Sequence, residues 1–250
     1  IPVFAKTEQG FRNLTKLSSK SYLEINKDSV PHCLIDDLIK NKDGLIILSG
    51  GVDSLFSDLI KKNNIKQLEE VVSKLKENFL DKFYFEIQRH GDTGEKNIEN
   101  IFLNLSNKFK IPLIASQEVF YIKKDMYEAH DALLCIGEKT YIEEKNRKKF
   151  TDQHYIKSSE EIEKLYEDLP EALENNYNFP FRFNYKLKKS EPNLPSLKIS
   201  SNLTEKEELL SLSKLGLENR LKNFVLKKNK SSDTSKIEKI YKQRLLHEIE

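Results

Sequence analysis

Short apolar runs alternate with helix-like repeats over the first two-thirds of this chain, and this alternation restricts the fold more than any other feature. The run Leu45–Ser49 is apolar up to its serine and leads into two glycines, as a buried parallel strand would. Phe83–Ile87 and Ile111–Ala115 have the same character. Strands that alternate with helices predict βαβ units, and therefore a parallel sheet or a barrel.

The segments around these runs repeat their apolar residues with the spacing of one helix face. The spacing predicts a short helix over 55–62 and longer helices over 66–79, 98–109 and 125–136. The residues that carry it in the two clearest helices are Leu68, Val71, Val72, Leu75 and Phe79, then Ile98, Ile101, Phe102, Leu105 and Phe109.

The pattern changes past about Asn178, where prolines at 180, 192 and 195 punctuate a basic, extended stretch. We therefore predict two domains, 1–178 and 179–250. In the second, Thr204 and Glu207 form a capping box that opens a helix to about Phe224, and a last helix begins near Ile237 after a Lys/Ser-rich loop.

Composition excludes several classes of protein. The net charge of +2 is too small to indicate nucleic-acid binding by itself, and no apolar run approaches the roughly 20 residues of a membrane span. Cys33 and Cys135 are far apart and typical of reduced core residues in a cytoplasmic protein. The chain opens on the apolar run Ile1–Phe4, which we interpret as a strand, and stops inside an amphipathic helical pattern, so we expect both ends to be truncations.

The motif Ser49–Ser54 has two interpretations. Alone, Ser-Gly-Gly-Val-Asp-Ser resembles the phosphate loop of ATP pyrophosphatases, enzymes that adenylylate a substrate. Two glycines allow close approach to a phosphate, a helix N-terminus offers free N–H groups, and Asp53 could hold Mg²⁺. The plainer interpretation is that Gly-Gly ends a strand while Asp53 and Ser54 cap the next helix. The context favours the plainer one, because two helical segments precede the next strand.

A series of longer motifs resembles the bacterial DNA polymerase III alpha subunit, the C-family replicative polymerase. The motifs occur in the family's order and cover essentially the whole chain. They are Phe4-Ala5-Lys6, Gly10–Leu14, Asp43–Gly51, Phe83–Gly91, Ile111–Tyr121, Glu128–Ile136, Pro170–Asn175 and Gly216–Leu221.

The resemblance implies an α/β fold: a distorted β/α barrel of PHP type, incomplete at the N-terminus, followed by the mainly helical start of a polymerase palm. Residues 1–178 would be the later part of the PHP domain and 179–250 a linker and the beginning of the palm. The palm aspartates that bind two Mg²⁺ ions would lie beyond Glu250, so the fragment itself would bind no cofactor and carry no catalytic residue. An open barrel of this kind would leave apolar strand edges exposed.

The resemblance also implies partners for the full-length protein. These are primer-template DNA, deoxynucleoside triphosphates, a separate exonuclease subunit (epsilon) on the PHP domain, and the sliding clamp and other holoenzyme subunits through other regions. No membrane partner is implied.

Members of the family with an intact PHP site collect His, Asp, Glu and Cys ligands from several strand ends. The early ligands would lie before Ile1. Of the three expected within this chain, the cysteine is replaced by Gly51 and the histidine by Phe120, while Glu118 stands for an aspartate. The resemblance therefore predicts a degenerate site that holds no metal.

The histidines add no further motif. His90 with Glu86 could be an acid–base pair but more simply marks a polar strand end, and His130-Asp131 is interpreted as a structural pair on a helix. Lysines at 186–189 and 227–230 could contact phosphates or belong to solvated loops.

Overall fold

A four-stranded sheet organises the first part of the chain in the computed structural model, which describes residues 1–26, 28–189, 191–195, 203–228 and 233–249. The strands, in spatial order, are β1 (Val3–Ala5), β2 (Leu45–Leu48), β3 (Phe83–Ile87) and β4 (Leu113–Ala115). β2, β3 and β4 are parallel, whereas β1 pairs antiparallel with β2. The predicted strands are therefore present, including the one expected at the start of the chain, whose antiparallel pairing with β2 the sequence did not predict.

Helices connect and cover the strands. They are α1 (Glu8–Leu23), α2 (Ile35–Lys40), α3 (Leu55–Lys61), α4 (Ile65–Phe79), α5 (Glu95–Phe109), α6 (Tyr127–Glu138), α7 (Ser159–Leu165) and α8 (Pro170–Asn178). The predicted strand at 111–115 is shorter in the structure because Pro112 has no N–H to donate to the ladder. In the described part of the chain, no helix is both long and apolar enough to cross a membrane.

The alternation of side chains along each strand divides the sheet into two faces. Odd-numbered strand residues face the helices and form the main core, in which the ring centroids of Phe85 and Phe102 lie 4.8 Å apart. Phe56 contacts both of these rings. Each such phenyl ring, fully buried, stabilises the fold by about 1.5–3 kcal/mol.

Even-numbered strand residues form the second face, which changes character along the strands. Ile46, Leu48, Tyr84 and Ile114 form an apolar cluster, and the segment 179–183 covers it with two phenylalanine rings. Further along the same face, the side chains are polar: Glu86, Gln88 and Ser116. This polar end is where the candidate site lies.

The segment after α8 stays with the first unit. Arg182 donates to Asp81 and to the hydroxyl of Tyr84, and the Asn184 N–H donates to the carbonyl of Lys6. The structure accordingly divides into the compact units Ile1–Leu187 and Lys188–Glu250. This division lies nine residues after the boundary at 178, because the segment 179–187 packs on the sheet. That the second unit is a palm domain remains a prediction.

The second unit is helical in its described residues. The capping box at Thr204 and Glu207 is present and opens α9 (Glu205–Arg220). A π-helical turn (Leu221–Val225) and α10 (Leu226–Lys228) continue it, and α11 (Thr234–Ile249) follows. Residues 229–232 of the predicted Lys/Ser-rich loop, and 190 and 196–202 of the proline-rich stretch, lie outside the described residues. An α/β unit followed by helices confirms the predicted fold class and fits a distorted barrel.

The outer edge of β4 is covered, whereas the resemblance predicted exposed strand edges. α8 packs along it, and the side-chain amides of Asn175 and Asn176 donate to the carbonyls of Leu113 and Ala115, the first at 2.8 Å. These bonds satisfy groups that would otherwise pair with another chain.

Replacing Asn175 with Leu should weaken this edge, because it leaves the Leu113 carbonyl without its donor in a largely buried place. We expect a loss of about 1–3 kcal/mol in the free energy of local opening of β4, measured by hydrogen exchange. The control is Asn178→Leu, a change of the same kind at an exposed position of α8. Equal effects of the two changes would contradict the assignment.

Candidate functional site

The ends of β2, β3 and β4 meet at one edge of the sheet because these strands are parallel. The chain leaves them at Ser49, Gln88 and Ser116. A cavity of about 470 Å³ lies at this edge, and its lining includes Gly51 and Glu118. The structure therefore brings together two of the three positions at which altered metal ligands are predicted.

Gly51 offers no donor atom to this cavity, and the space beside it is occupied. A Cβ built on Gly51 would lie 1.9 Å from Oε1 of Gln88 and 2.7 Å from its Cδ. A side chain at position 51 would therefore have to displace the carboxamide of Gln88.

Phe120, the third position, is not among the residues that line the cavity. Its ring stacks between the imidazoles of His154 and His130, at centroid distances of 5.0 and 5.1 Å, and the ring of Phe150 lies 4.5 Å away. A phenyl ring has no lone pair to give to a metal, so position 120 has become part of a column of aromatic rings.

The main chain of Glu118 is held by two buried histidines. His90 and His154 stack with their centroids 4.1 Å apart and their planes 4° from parallel. The Glu118 N–H donates to Nε2 of His90 at 3.0 Å, and Nδ1 of His154 donates to the Glu118 carbonyl at 3.0 Å. Because an amide N–H only donates and a carbonyl only accepts, Nε2 of His90 carries a lone pair and Nδ1 of His154 carries a proton.

The opposite edges of the two imidazoles face carboxylates. Nδ1 of His90 donates to Oε1 of Glu95 at 2.9 Å, and Nε2 of His154 lies 3.0 Å from Oδ2 of Asp92. The other oxygen of Glu95 accepts the backbone N–H groups of His90, Gly91 and Asp92 at 2.7–3.2 Å. We call His90, His154, Asp92 and Glu95 the histidine clamp.

Within the described residues, His90, Asp92 and His154 also form the one group of potential ligands close enough to hold a metal ion, with donor atoms within 4.8 Å. Two features argue against that use. Both nitrogens of His90 already have partners, and two parallel stacked rings cannot both point their lone pairs at one ion in the ring plane. The bonds of His90 to Glu95, and of both imidazoles to the main chain of Glu118, form a hydrogen-bonded clamp.

Sequence reasoning found only part of this clamp. It considered Glu86 as the partner of His90, whereas the partner is Glu95, at the start of α5. The spacing from His90 to Glu95 across two glycines could have suggested a carboxylate that caps the turn. No local signal connects His154 to Asp92, since 62 residues separate them.

A second network joins the three strand ends. The hydroxyl of Ser49 accepts the N–H of Glu86 at 2.9 Å, which links β2 to β3. The hydroxyl of Ser116 and Nε2 of Gln88, at 3.0 Å, both donate to Oε1 of Glu86. Oε2 of Glu86 is buried with no hydrogen-bond partner in the described part of the chain.

The phosphate-loop interpretation of Ser49–Ser54 is not supported. The Ser49 hydroxyl is buried and used by β3, and the Ser54 hydroxyl caps α3 by accepting the Ser57 N–H. Asp53 is exposed and lies 3.8 Å from Lys148. The plainer interpretation, a strand end followed by a helix cap, describes the structure, except that Ser54 caps α3 without Asp53.

His130-Asp131 lies on α6 beside the aromatic column. Asp131 and Arg147 form a bidentate ion pair, with both N–O distances 2.6 Å and both side chains buried. The hydrogen bonds from Arg147 hold the pKa of Asp131 below its ordinary value. This pair anchors the segment before Phe150 to α6, in agreement with the structural role predicted for this position.

Comparisons with known proteins identify the family of this chain. The sequence model of the PHP domain family matches residues 1–90. The chain is 33% identical to the DNA polymerase III subunit alpha of Caulobacter vibrioides over 224 residues, or 90% of its length. It is 34% identical to the DNA polymerase III subunit alpha of Rickettsia bellii over 221 residues, or 88% of its length. It belongs to the DNA polymerase III alpha subunit family. The subunit alpha of Pseudomonas fluorescens is 30% identical over the full length of the chain. The chain spans about a fifth of the length of these curated relatives: 20%, 19% and 21%.

The three positions at which the resemblance predicts altered PHP metal ligands have few donor atoms in this chain. Gly51 has no donor and its space is filled, and Phe120 stacks in the aromatic column. Of the three positions, only Glu118 offers a ligand atom.

The Asp131–Arg147 pair should make the stability of this unit depend on pH. Because the pKa of Asp131 is lower in the folded state, the pair stabilises fully above about pH 4, the ordinary pKa of Asp, and this contribution is lost as the pH falls through the depressed value. We expect Asp131→Asn to lower the urea midpoint of unfolding at pH 7. The decrease in the midpoint should become smaller as the pH approaches 3. Asp125→Asn, at an exposed position, is the control. If the difference in urea midpoint between Asp131→Asn and the wild type were the same at every pH, the predicted pH dependence would be refuted.

Proposed function

We propose that the protein containing this chain is the replicative DNA polymerase of a bacterium and transfers deoxynucleotides from triphosphates to a primer 3′ end on a DNA template. The observation that carries this proposal is the 33% identity over 90% of the chain to a DNA polymerase III subunit alpha. The enzyme would act in the cytoplasm, together with its primer-template DNA, a sliding clamp and other replication subunits.

The segment 1–250 has a structural role in this proposal. Its α/β unit would brace the palm and offer a surface to partner subunits. The nucleotidyl transfer would take place on palm residues outside the segment, where two Mg²⁺ ions stabilise the attacking and leaving oxygens.

The PHP unit of this polymerase would hold no metal and would not proofread. Support comes from the donor set, since one of the three ligand positions has no side chain and another is a phenyl ring. A separate exonuclease subunit, docked on the PHP unit, would supply proofreading instead.

The full-length protein should extend a primer on a DNA template when Mg²⁺ and all four deoxynucleoside triphosphates are present. Primer-extension gels measure this directly, with product length set by the template. Omitting one triphosphate should stop synthesis at the corresponding template base, and chelation of Mg²⁺ should abolish it. A purified full-length protein that extends no primer under these conditions would overturn the polymerase proposal.

The same preparation should contain no stoichiometric zinc or manganese at the PHP unit and should not shorten single-stranded DNA. Metal analysis by mass spectrometry and a 3′-end-labelled oligonucleotide test both parts. Co-purification with a separate exonuclease subunit should then confer shortening of a mismatched primer end. One equivalent of bound transition metal, with nuclease activity lost in Glu118→Ala, would show that the PHP site is intact.

A further inference from the structure

The backbone conformation of Gly51 does not require a glycine, so the restriction on this position has another cause. Its neighbour Gly50 has φ +79°, a conformation that other residues rarely adopt, whereas Gly51 is not among the residues with positive φ. The three nearest heavy atoms that a Cβ at position 51 would meet all belong to Gln88: Oε1 at 1.9 Å, Cδ at 2.7 Å and Nε2 at 3.2 Å. The closest contacts that restrict position 51 therefore come from the side chain of Gln88.

That side chain is itself held in place. Nε2 of Gln88 donates to Oε1 of Glu86 at 3.0 Å and to the hydroxyl of Ser116 at 3.4 Å. Glu86 is buried, and its carboxylate would lose one of its two side-chain donors if Gln88 moved. Leaving a buried polar group short of a hydrogen-bond partner is costly, so Gln88 does not move aside freely.

We infer that Gln88 has taken the place of the metal ligand at position 51: its carboxamide fills that space and cross-links the ends of β3 and β4, so that a side chain at position 51 and these hydrogen bonds exclude each other. The comparison with a metal ligand rests on the proposed loss of the PHP metal centre. The contact between Gly51 and Gln88 does not depend on it.

The mutual exclusion predicts a specific coupling between two substitutions. Gly51→Ala alone should displace the carboxamide and raise the hydrogen-exchange rates of the amides around 49–54 and 86–88, by roughly fivefold or more, which corresponds to about 1 kcal/mol of local opening free energy. Gln88→Ala alone should raise the same rates. In the Gln88→Ala background, Gly51→Ala should add less than about a twofold change, because the space is then empty.

Gly50→Ala is the matched control. Its cost comes from positive φ and from contacts with Ser54 and Pro2, not from Gln88. It should therefore raise exchange by the same factor whether residue 88 is glutamine or alanine.

The measurement is hydrogen exchange with mass spectrometry on the full-length protein, so that all neighbouring domains are present. An effect of Gly51→Ala that is the same in both backgrounds, or no effect in the wild type, would overturn the inference. Primer extension by each variant provides a separate readout: a failed polymerase assay would count against the proposed function only, whereas absent coupling would count only against the role of Gln88.

Discussion

The parallel pairing of β2, β3 and β4 is the constraint on which the rest of this structure depends, because it brings three strand ends to one edge of the sheet. With alternating side chains, the same face is apolar at the strand starts and polar at the strand ends. Ile46, Tyr84 and Ile114 accordingly pack under phenyl rings, while Glu86, Gln88 and Ser116 lie together at the far end. A site at this edge is a consequence of topology, whatever chemistry the side chains provide.

In this chain, hydrogen bonds connect the groups at that edge. Ser49, Gln88 and Ser116 converge on Glu86, and the histidine clamp holds both the N–H and the carbonyl of Glu118. Each neutral bond contributes about 0.5–1.5 kcal/mol, and bonds to charged groups more. Together they fix the strand ends and the loop after β4 through side-chain hydrogen bonds.

The elements that depend on local pattern could be predicted from the sequence. The strands at Leu45 and Phe83 and the helices that follow them came from apolar spacing, and the family came from ordered motifs. The altered ligand positions Gly51, Glu118 and Phe120 also came from those motifs, although only the first two share a cavity. Three contacts that the sequence did not predict join residues far apart: His154 with Asp92, Asn175 with the edge of β4, and Gln88 with Gly51. No spacing rule indicates such pairs, because tertiary folding alone brings them together.

The central claim is that the strand ends of this PHP unit are held by side-chain hydrogen bonds and not by a metal. Hydrogen exchange of the amides at 49–54, 86–92 and 116–120, compared in the full-length protein before and after exhaustive chelation, tests it most directly. The account predicts unchanged exchange rates, within about twofold. Rates that rise by roughly tenfold after chelation and recover when zinc or manganese is restored would contradict it.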